Sequence, residues 1–110
     1  MPFPRRIGPT VLLNTNAVLF TATMPTLVSS LTFSNTDVAD RTVRINLVPA
    51  GSSLAQGNRI VPDLTIRAND VAMVPLELVM AAGDTLQGLA SVTSVVNVTG
   101  TYGDEKKVLK

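Results

Sequence analysis

The chain contains no cysteine, no histidine and no tryptophan. The first absence removes disulfide frameworks, thiolate nucleophiles and thiolate metal sites. The second removes imidazole as a base or a metal ligand. Aromatic residues are limited to three Phe and one Tyr, too few for the stacking platforms of single-strand nucleic-acid binders. Charge is also scarce: nine basic and eight acidic residues leave a formal net charge of +1. Such a balance exerts no long-range pull toward nucleic acid or an anionic membrane. The apolar runs span a handful of residues, far short of the ~20 needed to cross a bilayer. No basic stretch followed by an apolar segment opens the chain, so no export signal is expected. Low charge with 45% hydrophobic residues argues against disorder. A length of 110 residues fits one domain, and a chain of this size supports one core without staples. These exclusions leave a soluble single-domain protein for which no enzyme activity and no cofactor are expected.

What the chain does have is β-branched residues: fifteen Val, thirteen Thr and four Ile. Their stiff χ1 suits a pleated surface, and no long window shows helical periodicity. Seven Pro and seven Gly cut the sequence into short pieces, the pattern of an all-β fold. Residues 1–9 hold three prolines and a glycine and are expected to form an extended arm outside any strand. Val11–Leu13 and Ala17–Thr21 read as a short pair around Asn14-Thr15-Asn16. Leu27–Asn35 alternates, placing Leu27, Ser29, Leu31 and Phe33 on one face. Thr42–Val48 alternates most cleanly, with Val43, Ile45 and Leu47 inward. Pro49 to Asn58 is a polar loop, and Leu64 and Ile66 mark the next strand. Val74, Leu76, Leu78 and Met80 share a face in a strand whose Pro75 requires an edge or a bulge. Thr85–Val92 and Val95–Tyr102 complete the set, the last with Val96, Val98 and Tyr102 inward. Ala68-Asn69-Asp70 and Ala82-Gly83-Asp84 are turns built on residues that tolerate left-handed backbone. The expectation is a single antiparallel β-sandwich over residues 10–103, jelly-roll or immunoglobulin-like in connectivity. A charged flexible tail at 104–110 follows it.

No constellation of catalytic residues is visible. The eight carboxylates are Asp37, Asp40, Asp63, Asp70, Glu77, Asp84, Asp104 and Glu105, nearly all at expected turns, where aspartate bonds nearby backbone amides. Asp37 and Asp40 share a loop with Asn35, but one loop offers too few converging oxygens for calcium, so no metal site is expected. A serine nucleophile would need a base, and the only lysines are Lys106, Lys107 and Lys110 in the tail. Phosphate-cradling glycine motifs are missing. Asn97-Val98-Thr99 matches a glycosylation sequon but reads as strand composition. The N-terminal residues are the best candidates for partner contact: Phe3 as an aromatic anchor, Ile7 beside it, and Arg5 and Arg6 to fix orientation on a protein neighbour. Two arginines alone bind nucleic acid weakly, so a nucleic-acid partner is not expected.

Several stretches carry a resemblance. They are Val28-Ser29-Ser30-Leu31-Thr32-Phe33-Ser34-Asn35-Thr36, Ala39-Asp40-Arg41-Thr42-Val43, Leu47-Val48-Pro49-Ala50-Gly51 and Ile66-Arg67-Ala68-Asn69-Asp70. Leu78-Val79-Met80-Ala81-Ala82-Gly83-Asp84-Thr85-Leu86 and Val95-Val96-Asn97-Val98-Thr99 continue it. Together they resemble a group of small β-sandwich proteins of tailed bacteriophages. The resemblance implies a component of the virion, on the capsid shell or in the tail, and supplies no catalytic or metal residues. The function expected from it is a capsid decoration (cement) protein, made in the host cytoplasm, that binds the major capsid protein or other virion proteins as a homo-oligomer. A tail, neck or fibre accessory protein is the alternative, and a carbohydrate- or receptor-binding module a more distant one.

Overall fold

A computed structural model describes residues 4–104, with the side chains of Pro4, Gln56 and Asp104 left aside. Eight strands form two four-stranded antiparallel sheets: β1 (Pro4–Val11), β2 (Ala17–Thr21), β3 (Thr26–Asn35), β4 (Arg41–Val48), β5 (Arg59–Ile66), β6 (Val71–Met80), β7 (Thr85–Ala90) and β8 (Val96–Asp104). The one helical element is a 3-10 turn at Gln56–Asn58. One sheet runs β1-β8-β3-β6 and the other β2-β7-β4-β5. Every connection crosses from one sheet to the other except β4 to β5, which the 49–58 loop joins within a sheet. This interleaving is the double Greek key of a jelly roll, so the immunoglobulin-like alternative drops out.

The core lies between the sheets. Phe33, Leu31 and Val28 of β3, Val96 and Val98 of β8, and Met80 of β6 meet Val43 and Ile45 of β4, Leu86 of β7 and Ile66 of β5. Two central positions, Gly88 and Gly100, are glycine for want of room: a Cβ on Gly100 would lie 2.8 Å from Leu31 Cδ2. A Cβ on Gly88 would lie 2.6 Å from Ile45 Cδ1 and 2.7 Å from the Arg44 carbonyl oxygen. The two expected turns form as read, with Asn69 at φ 52° and Gly83 at φ 93°.

Four expectations are corrected. Residues 4–9 are not outside the sheet but belong to β1, which pairs with β8 along the sheet edge. Prolines fit there because Pro4 opens the strand and Pro9 falls where the register shifts between Ile7 and Thr10, and an edge tolerates missing donors. The shift centres on Gly8 (φ 71°), where a Cβ would lie 2.7 Å from the Val98 carbonyl. Secondly, β1 and β2 do not pair with each other. The Leu12 amide donates to Val96 and the Leu13 carbonyl accepts from Ala90, so the chain changes sheets between these two residues. Thirdly, β3 changes phase at a bulge between Val28 and Ser30. Val28 then faces inward with Leu31 and Phe33, while Leu27 is exposed. Lastly, Leu47 packs against the core as expected but is only partly buried, whereas Asn46 and Val48 on the opposite face of β4 are covered. The 49–58 loop folds back there, and the Asn46 side-chain amide donates to the Ala55 carbonyl at 3.2 Å.

Pro75 satisfies both conditions set for it. It lies on β6, an edge strand, opposite Ser30 at the bulge.

Candidate functional site

Four of the carboxylates, Asp37, Asp40, Asp70 and Asp84, accept backbone amides at turns. Asp84 accepts the Ala50 and Ala81 amides, Asp40 the Ala68 amide and Asp70 the Val71 amide. Asp37 accepts from Arg41 Nε at 2.8 Å and from the Val38 amide. These bonds, the Arg41 one foremost, lower its pKa below the ordinary 3.8. Asn35 is fully committed: its Nδ2 donates to the Ala39 and Ile66 carbonyls at 3.0 Å and its Oδ1 accepts the Asp37 amide. In the 35–40 loop the Asn35, Asp37 and Asp40 side chains therefore already have partners. Among the described residues no cluster of three or more acidic groups is placed to hold a metal ion. None of the helices there is long and apolar enough to cross a membrane.

Of the residues expected at a partner contact, Arg5, Arg6 and Ile7 lie on β1. Phe3 lies outside the described residues. Arg5 and Arg6 are exposed on β1, opposite Tyr102 and Thr101 of β8. Ile7 is 2% exposed and part of the core, so its side chain serves this domain and not a neighbour.

Two surface features were not anticipated. The first is β6, a ten-residue strand with no partner on its outer edge. On its solvent face Val71, Met73 and Val79 are 58%, 66% and 74% exposed, and Leu27 of β3 is exposed opposite Val79. A long apolar edge is what soluble proteins usually blunt with charge, and β6 carries one charged residue, Glu77. The strict alternation of this strand was legible in sequence, but its edge position was not.

The second feature is a recess of about 170 Å3 on the outer face of the β2-β7-β4-β5 sheet. Arg44 and Asn46 of β4, Arg59 of β5, Leu89 of β7, Asn16 and the loop residues Leu54 and Ala55 line it. Arg44 is fixed by a forked pair with Asp63, Nε to Oδ1 at 2.9 Å and Nη2 to Oδ2 at 3.2 Å. Asp63 reaches it because β5 is irregular between Val61 and Leu64, with Asp63 at φ 44°; such bulges re-aim side chains. Asn16 Nδ2 is held by Gln87 at 2.7 Å. Arg59 has no hydrogen-bond or ion-pair partner among the described residues. No sequence motif signals this site, because strand pairing joins residues from β4, β5, β7 and two connecting loops.

No protein-family model matches the chain, and no curated protein matches it either. Solved structures do. A chain in the crystal structure of the T13 IBDV viral particle superposes with a TM-score of 0.55 at 9% identity, over 94% of this chain and 31% of that one. A chain in the structure of infectious bursal disease virus strain Gx gives 0.52 at 10% identity, over 98% of this chain and 33% of that one. The shared feature is the fold. The chain spans about a third of the length of these two neighbours.

Proposed function

We propose that the protein is a non-enzymatic structural component of a virus particle, a jelly-roll unit that binds the assembled shell as a decoration protein. The observation that carries this reading is the row of exposed apolar residues on β6, Val71, Met73 and Val79, on a strand with no partner on its outer edge. An exposed patch of this kind marks a protein contact. The likeness of fold to chains of IBDV particles supports it, as does the engagement of the turn carboxylates with backbone amides. The bacteriophage setting rests on the sequence resemblance.

Binding only the assembled lattice stabilises it by mass action, and this is the mechanism proposed. The partner is the major shell protein, and self-association through β6 makes the unit a homo-oligomer. Arg5 and Arg6, exposed on the opposite edge, contribute to the contact with virion neighbours. A sugar-binding module is disfavoured by the placement of the aromatics: Phe33 is buried, and Phe20 packs on Tyr102 at 4.6 Å between ring centres. Neither arrangement offers a face for a sugar ring.

The test is to purify particles from producing cells and count chains per particle by quantitative mass spectrometry. A fixed ratio to the shell protein is expected. Recovery only in the particle-free fraction would overturn the reading.

A further inference from the structure

The recess beside the 49–58 loop holds an unusual combination. Asn46 is 3% exposed, yet only its Nδ2 is bonded, to Ala55; Oδ1 has no partner among the described residues and is not sealed from solvent. Arg44 uses Nε and Nη2 on Asp63, leaving Nη1 without a partner. Arg59 shares the recess with it. Two guanidinium groups, only one of them neutralised, therefore line one small cavity together with a solvent-accessible amide oxygen. Donors and an acceptor open to solvent in one recess can exchange water for the matching groups of a ligand.

We infer that this recess receives an acidic side chain of a partner protein. Its carboxylate takes the Arg59 fork and Arg44 Nη1, and an adjoining backbone amide of the partner donates to Asn46 Oδ1. Arginine's planar fork suits a carboxylate. Size favours a side chain over a free small molecule, since ligand pockets typically measure about 300–1,000 Å3 and this one about 170 Å3. A sugar acid is disfavoured by the lining, whose apolar members are Leu54, Ala55 and Leu89, with no aromatic ring. The Arg44–Asp63 pair acts as a positioning element, holding one guanidinium in place before the partner arrives.

This inference rests on the reading of the protein as a shell-binding unit, but its test does not require particles. N-acetyl-glutamate N-methylamide is titrated into the isotope-labelled chain while the Asn46 side-chain amide and the Arg59 Nε–H are followed by NMR. Both signals are expected to shift, and the neutral glutamine analogue at equal concentration should leave them in place. Arg59→Gln should weaken the response about tenfold, the scale of a charge-assisted bond, with Arg59→Lys intermediate. Equal shifts from both analogues, shifts elsewhere, or an undiminished response in Arg59→Gln would overturn the inference. Tighter binding of glucuronate than of the glutamate probe would assign the recess to an acidic sugar instead. Failure of the chain to accompany particles, with the NMR response intact, would count against the shell-binding reading alone.

Discussion

Asn35 joins three parts of the chain at one buried point. It ends β3, bonds the carbonyls of Ala39 and Ile66, and accepts the amide of Asp37. Asn35→Ala strands these groups away from water, and the expected loss is about 1–3 kcal/mol, read from urea unfolding midpoints; an unchanged midpoint would show that water replaces the amide. Asp37 two residues on carries a pH signature. Its folded pKa is lowered by Arg41 and by the Val38 amide, so its contribution is complete above the ordinary 3.8 and disappears as pH falls through the lowered folded value. Wild type should exceed Asp37→Asn in stability at neutral pH, and the gap should close as pH drops below 3.8. Thermal melts across pH 2 to 7 check this, and a gap independent of pH would contradict it. Glycine 88 and Asn35 share a lesson. Neither residue type announces burial in a sequence, because the demand for small size or for a bonded amide comes from a neighbouring strand.

At the scale of elements, the inward positions of β4 and the edge β1 give a direct comparison. Ile45 is fully buried in the core cluster, and Ile45→Ala should cost about 2–5 kcal/mol. Ile7 of β1 belongs to the same core, so Ile7→Ala should fall in that range too. Deleting residues 1–8 should therefore lower the melting midpoint, where an independent arm would leave it unchanged. β4, β6 and β8 were legible because each keeps its alternation of burial over most of its length, and burial on one face dictates that period. β1 was hidden by its prolines, which an edge strand accepts and a central strand would not. The inward set of β3 was misread at its start, because a bulge at Ser29 and Ser30 inverts the faces without any distinctive residue. The recess was invisible for a different reason. Arg44 and Arg59 flank it only because β4 and β5 pair across the 49–58 loop. For β6 the exposed row yields its own expectation. Met73→Lys changes a position that is two-thirds exposed, so monomer stability should stay within about 0.5 kcal/mol. Self-association measured by sedimentation velocity should weaken, and undiminished association would remove β6 from the interface.

For the whole molecule, the jelly roll accounts for how so little chemistry yields a defined object. Eight strands cross repeatedly between two sheets, and one core of aliphatic side chains with a single buried Phe fills the space between them. The turns are held by aspartates, and what remains for other molecules is surface: an open apolar edge on one sheet and a basic recess on the other. A protein that binds the assembled lattice and not its separate subunits raises the stability of that lattice in proportion to occupancy. The most direct measurement adds the purified chain to shells that lack it and, in parallel, to unassembled shell subunits, then follows cosedimentation and the temperature at which the shells disrupt. The account predicts saturable binding to shells, little to subunits, and a disruption temperature that rises with occupancy. Equal binding to both, or a disruption temperature unmoved at saturation, would contradict it.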